Sequence, residues 1–187
     1  MQVPRLVAVV DLELTCDKSG LLPETEIIQI GATITLNSPE SPVLEEFYRF
    51  VRPVINPTLT QFCSELTAIK QSDVDSAKEW NQVNEELMEW LSGHRVEAWC
   101  SWGGYDLEQM MKQCRRWPFP AGCFHFDAKK ALSFSQKMKG RVGQRMAMKI
   151  CDVRTCGRQH DALEDARNLS ALLPFVFGHK KRPGFPA

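Results

Sequence analysis

The apolar residues of this chain change period several times, and each change marks an element. Leu6, Val7, Ala8, Val9 and Val10 form an unbroken apolar run, the pattern of a short strand buried on both faces. That run predicts a strand over 6–14, and strand-like stretches recur over 26–36, 45–52, 95–102 and 123–127. Between 79 and 93 the period lengthens, placing Trp80, Val83, Leu87, Trp90 and Leu91 on one face of an amphipathic helix. Leu107, Met110, Met111 and Cys114 repeat that spacing after Gly103-Gly104, which permit a tight turn out of the preceding strand. Further helices are expected over 127–139, near 143–151, and from Ala162 toward Pro174, where the proline should end or kink the last one. Segments 17–25 and 37–43, rich in turn formers, read as loops. Three early strands followed by alternating helix and strand describe an α/β protein with a five-stranded mixed sheet flanked by helices. No repeat or low-complexity tract interrupts it, so one continuous domain is expected over 1–178, followed by a basic tail, 179–187, that frays.

Acidic residues fall at the ends of these elements. Asp11 and Glu13 close the first strand two residues apart, so the strand period points both carboxylates the same way. A solvated strand end is the plainer account of such a pair taken alone. Asp106 enters the first turn of the helix after Gly103-Gly104, where the dipole favours a carboxylate whether or not it has another task. In Gly157-Arg158-Gln159-His160-Asp161-Ala162-Leu163-Glu164-Asp165, Asp161 and Glu164 have capping-box spacing and are assigned to helix initiation. His160 then lies just outside the helix, free to swing toward a water, and Asp165 sits within the first turn. Together the four acids and the histidine make a set able to hold two divalent metals and cut a phosphodiester. Two ions roughly 3.5–4 Å apart stabilise the attacking and leaving oxygens of an in-line displacement. Magnesium takes oxygen ligands and keeps several waters, so a few carboxylates suffice. A neutral imidazole beside them can accept the proton of the attacking water.

Asp11-Leu12-Glu13-Leu14-Thr15, Tyr105-Asp106 and His160-x4-Asp165 resemble, in order, the three motifs of the DEDDh or DnaQ-like exonucleases, which have a ribonuclease H-like fold. The resemblance covers nearly the whole chain, and 26–32 looks like the second strand of these enzymes. Gly-Arg-Gln-His160 and Trp102-Gly-Gly-Tyr-Asp106 look most like the ERI-type subgroup, which includes bacterial KapD-like proteins. Two departures are visible: Cys16 stands where many relatives have Gly, and the second motif lacks an Asn several residues before its Asp. The resemblance implies that Asp11, Glu13 and Asp165 hold one Mg2+ or Mn2+ ion and that Asp11 bridges to a second ion reached by Asp106. It makes His160 the general base, and Leu14 and Thr15 neighbours of the terminal nucleotide. The implied activity is removal of nucleotides from the 3′ end of a single strand, RNA first and DNA as the alternative. A nucleic-acid-binding scaffold without turnover and a small phosphodiesterase acting on dinucleotides are the competing classes.

Composition narrows this only slightly. A chain of 187 residues can bury one substantial core. Its 23 basic and 23 acidic residues cancel, which argues against wrapping a duplex and is compatible with a short footprint at a strand end. Arg141, Arg145 and Lys149 belong to a basic stretch that reads either as a strand-guiding groove or as a solvated helix face. Seven cysteines show no C-x-x-C pair or zinc spacing and suit a reducing compartment, and a strand starting so near residue 1 leaves no room for a signal peptide. No membrane segment and a cytoplasmic location are therefore expected. Trp80, Trp90 and Trp99 read as core. Trp102 beside the Gly-Gly turn, and Phe62 before Cys63, are the candidates for touching substrate. His94, His125 and His179 carry no metal-ligand pattern.

Overall fold

The computed structural model describes residues 4–20, 22, 24–114 and 118–185. Its central strand is β1 (Leu6–Leu14), whose apolar start needs cover on both faces. β2 (Ile27–Leu36) and β3 (Val43–Phe50) extend the sheet on one side as antiparallel neighbours. β4 (Ala98–Ser101) and β5 (Phe124–Asp127) extend it on the other as parallel ones. The order is β3-β2-β1-β4-β5, the mixed five-stranded sheet expected from the strand pattern. β4 begins later than residue 95 because Arg95, at φ 50°, caps the preceding helix in a left-handed conformation that no strand can use.

Helices cover both faces. Beyond the end of β1, α1 (Gln61–Thr67) and α2 (Gln71–Asp75) close a small cluster in which Cys63 and Val74 pack on Ile28. Ala8, Val10 and Leu12 face Val83, Leu87 and Leu91 of α3 (Trp80–His94) and Met110 of α4 (Tyr105–Cys114). Val7 and Val9 point the opposite way. They meet α5 (Ala128–Ser135), α6 (Gln144–Ile150) and α7 (Ala162–Val176) through Leu132, Met148, Leu169 and Leu172, all essentially inaccessible to solvent. Each such aliphatic side chain contributes roughly 1.5–3 kcal/mol by leaving water, which fixes α7 against the sheet. Among the described residues no helix is long and apolar enough to cross a membrane.

Two expectations are corrected. Pro174 neither stops nor visibly breaks α7, which runs on to Val176. It occupies the last turn, where its missing N–H removes a single ladder bond, and Phe177 and Gly178 still donate to Leu173 and Phe175. Residues 179–185 do not fray. Buried Gln136 at the end of α5 donates to the Phe175 and Lys180 carbonyls (2.6 and 3.0 Å) and accepts from Arg182 N (3.0 Å), which ties the tail down. Positions 186 and 187 lie outside the described residues.

Candidate active site

Register carries the first two carboxylates to the α7 face. Asp11 and Glu13 continue the odd-numbered series of Val7 and Val9, so they emerge on the side where α7 begins. Three devices bring that helix start close. Asp161 caps it, accepting from Leu163 N and Glu164 N at 3.1 Å each. Gln29 of β2 accepts from Ala162 N (2.8 Å). Gly31, paired with Asp11 across the ladder, leaves the space: a Cβ there would stand 2.2 Å from Ala162 C and Leu163 N. Asp165, in the first turn, is thereby carried to Asp11 and Glu13, and one carboxylate oxygen from each lies within 4.8 Å of the others. Of the expected capping box only the Asp161 half forms, because Glu164 pairs with Arg167 instead (2.7 Å).

The spacing of five between His160 and Asp165 has a specific cause. His160 takes a left-handed backbone conformation (φ 61°) and its N–H donates to Asp165 Oδ2 at 2.9 Å. Its backbone is thus pinned to Asp165 and does not swing freely as the sequence suggested. The ring, partly exposed, sits with Nδ1 3.9 Å from Glu13 Oε1. Arg158 holds the same loop from outside by donating to the Glu65 and Leu66 carbonyls at the end of α1 (2.9 Å each).

Asp106 comes from the opposite side, at the start of α4, and lies outside the tight trio but in the same cleft. The neighbouring Leu12 backbone, its own backbone N–H and Ser101 favour its charged form, and the Ser101 hydroxyl donates to Gly103 O (3.0 Å) in the turn just before it. Ser101 Oγ also lies 3.1 Å from His125 Nε2, and the His125 ring packs on Trp99. His125 therefore packs behind the site through Ser101 and Trp99.

The electrostatics describe a site short of positive charge. Burial, then the Asp106, Glu13 and Asp165 carboxylates, raise Asp11 well above the ordinary carboxylate range. Burial and the Asp165 and Asp106 charges push Glu13 up to about 8. Asp106 is raised to about 6 by burial, against the pull of its hydrogen bonds, and Asp165 is raised by burial. Four acids held this way would exchange their protons for a cation. Oxygen donors on three converging side chains, with a fourth nearby, suit a hard divalent ion.

The five residues line a cleft of about 430 Å³ together with Leu14, Thr15 and Trp102. Phe62 does not line it; one turn further along α1, Leu66 does. Thr15 is buried and its hydroxyl accepts from Glu26 N (2.9 Å), so it closes the β1–β2 loop. Trp102 donates from Nε1 to Val142 O (3.2 Å), tying the β4–α4 turn to the segment before α6. Sequence reasoning missed Gly31, Gln29, Ser101 and Gln144, the last donating to Asp165 O at 2.6 Å. Of these only Gly31 carried a signal, a lone glycine inside a strand pattern that marks close backbone approach.

The profile of the RNase T family, described as exonuclease, matches residues 8–173. ERI1 exoribonuclease 3 of Homo sapiens is 29% identical over 191 residues, covering 94% of this chain and 56% of the relative. The chain thus spans about half the length of such curated relatives. Among solved structures, a full-length 3′-exonuclease superposes with a TM-score of 0.84 at 20% identity, over 95% of this chain and 84% of that one. The nuclease domain of 3′hExo, a DEDDh family member bound to rAMP, superposes at 0.79 and 22% identity, over 94% of each chain. At those identities the superpositions speak for the fold, and the profile carries the rest: this chain belongs to the RNase T exonuclease family and is similar to the ERI1 exoribonucleases.

Proposed function

We propose that this protein is a divalent-metal-dependent 3′–5′ exonuclease that removes nucleotides from the 3′ end of single-stranded RNA, with single-stranded DNA as the alternative substrate. The observation that carries the reading is the convergence of Asp11, Glu13 and Asp165, with Asp106 and His160 in the same cleft. Its relatives' name, exoribonuclease, supports RNA as the first choice.

Asp11, Glu13 and Asp165 would hold one Mg2+ or Mn2+ ion, and Asp11 with Asp106 a second. When bound, such ions neutralise the charge of the phosphoryl transition state and acidify water. The rest of the chemistry is assigned to the chain's own side chains. His160 accepts the proton of the attacking water on the ring edge that faces Glu13, and the Asp165 carboxylate keeps that residue's backbone in place. Leu14 and Leu66 give the terminal nucleotide apolar walls that exclude bulk water.

Oligonucleotides of RNA and DNA, labelled at either end and blocked at one end, test the assignment. A 3′ block should stop digestion in Mn2+ or Mg2+, and a 5′ block should leave it unchanged. Cleavage of a circular strand would overturn the exonuclease reading. Hydrolysis confined to dinucleotides would replace it with a small phosphodiesterase, and tight oligonucleotide binding with no hydrolysis would replace it with a scaffold.

A further inference from the structure

Two depressions offer themselves to a nucleic-acid strand. The larger, about 920 Å³, adjoins the catalytic cleft at Thr25 and Tyr105 and runs beside α4. Its lining is acidic: Glu24, Glu26, Glu79 and Glu108 against Arg52 and Lys112. Both cations there are already engaged, Arg52 with Glu79 at 2.8 Å and Lys112 with Glu108 at 3.1 Å. Among the described residues of this lining, a chain of phosphates would meet an excess of carboxylates and no unpaired guanidinium or ammonium.

The other rim differs. Segment 139–149 contains Lys139, Arg141, Arg145 and Lys149 and no acid, and all four are exposed. Among the described residues none of the four makes an ion pair. Arg145 is the one that lines the catalytic cleft, near enough to Asp165 to draw that carboxyl's pKa down but not joined to it. Its mount is rigid. Gln144 next to it donates to Asp165 O, Trp102 holds Val142 O, and Ala147 and Met148 are buried in the core. Arg158, the other arginine beside the site, is spent on the Glu65 and Leu66 carbonyls. An unpaired guanidinium on a fixed helix at the edge of an acidic cleft matches the forked geometry of a phosphodiester anion.

The geometry points to Arg145 as the residue that grips a backbone phosphate of the substrate, with the strand leaving the cleft over α6 and not along the groove beside α4. This rests on the nuclease reading above, and its test is built to fail separately. In Mn2+, Arg145→Ala should raise KM for a single-stranded oligonucleotide roughly ten- to a hundredfold, the range for a hydrogen bond to a charged group, and leave kcat within a few-fold. The slope of log(kcat/KM) against log salt should become shallower by roughly 0.7, one phosphate contact on a single strand. Arg145→Lys should recover part of the affinity. Replacing successive linkages with neutral methylphosphonates should locate one position at which the Arg145→Ala penalty disappears. Arg52→Ala and Lys112→Ala should bind substrate as the unaltered protein does.

The proposal is overturned if Arg145→Ala keeps its KM and salt slope, if only its kcat falls, or if the groove variants raise KM more than it does. Should the unaltered protein hydrolyse nothing, the nuclease reading fails. Fluorescence anisotropy of the same oligonucleotide, with the same variants and salt series, still decides whether Arg145 binds phosphate.

Discussion

Gly31→Ala isolates how the site is assembled, because it alters no group with chemistry. The added Cβ would stand 2.2 Å from both Ala162 C and Leu163 N, backbone atoms that cannot rotate aside. Carbon atoms settle roughly 3.5–4.0 Å apart, so the start of α7 must retreat by on the order of 1 Å. That withdrawal stretches the 2.8 Å bond from Ala162 N to Gln29 and carries Asp165 away from Asp11 and Glu13. Overpacking of this kind costs about 1–3 kcal/mol. It outweighs the 0.4–1 kcal/mol or so that alanine gains by restricting the unfolded chain. For a chain of this size the net change, up to about 2.6 kcal/mol, corresponds to a Tm lowered by up to roughly 10 °C. A displacement of about 1 Å at a reacting centre lowers turnover by roughly 10²-fold. Gly93→Ala is the control: nothing lies within 4 Å of its Cβ position in α3, so it should raise Tm by a few degrees and leave activity alone. Circular dichroism melts, calorimetric Mn2+ titration and single-turnover cleavage read all three effects. If Gly31→Ala melts with the parent and cleaves at the parental rate, close approach of α7 to β2 does not build this site.

Three further outcomes are expected. Asp11→Asn or Asp165→Asn should weaken Mn2+ binding and lower cleavage at least roughly a hundredfold, while melting in chelator at or above the parental Tm, since a repelling charge has gone; near-normal cleavage by Asp11→Asn would end the two-ion reading. In chelator, stability should fall as pH rises. The folded pKa values of Glu13 (about 8, from 4.5), Asp106 (about 6, from 3.8), Asp11 and Asp165 all lie above their unfolded values, so their contribution is complete below the unfolded range and is lost through the folded one. Millimolar Mn2+ should reverse the loss most strongly near pH 8, and a metal-free Tm that is flat or rises from pH 5 to 8 contradicts the charge cluster. His160→Ala should lower kcat by roughly 10²–10⁴-fold with Mn2+ affinity retained; loss of metal affinity along with rate would make His160 a ligand.

Much of the site was legible because its chemistry sits at element ends, and element ends are written in local sequence. The apolar run 6–10 places β1 in the centre of the sheet, and the strand period alone aims Asp11 and Glu13 at one face. Asp161 announces the start of α7 through its side chain, and that start fixes where Asp165 falls along the helix. The tail was misread for the opposite reason. Nothing in 179–187 shows that Gln136 waits for its backbone, since a buried glutamine at a helix end looks like a solvated one.

The sequence by itself determined the five strands and the longer helices, though not α1 and α2, and on which face of its own element each acid lies, because period and capping act within a few residues. Only the tertiary structure decided that those faces meet. Gly31 and Gln29 seat α7 on β2, the His160 N–H ties its loop to Asp165, and Ser101 fastens the turn before Asp106 through Gly103 O. It also decided that Leu66 reaches the cleft in place of Phe62, and that Arg145 stands unpaired while Arg158 is engaged. Close packing settles such contacts between elements far apart in the chain, where one missing methyl group sets how near two backbones come, and no local period encodes that distance.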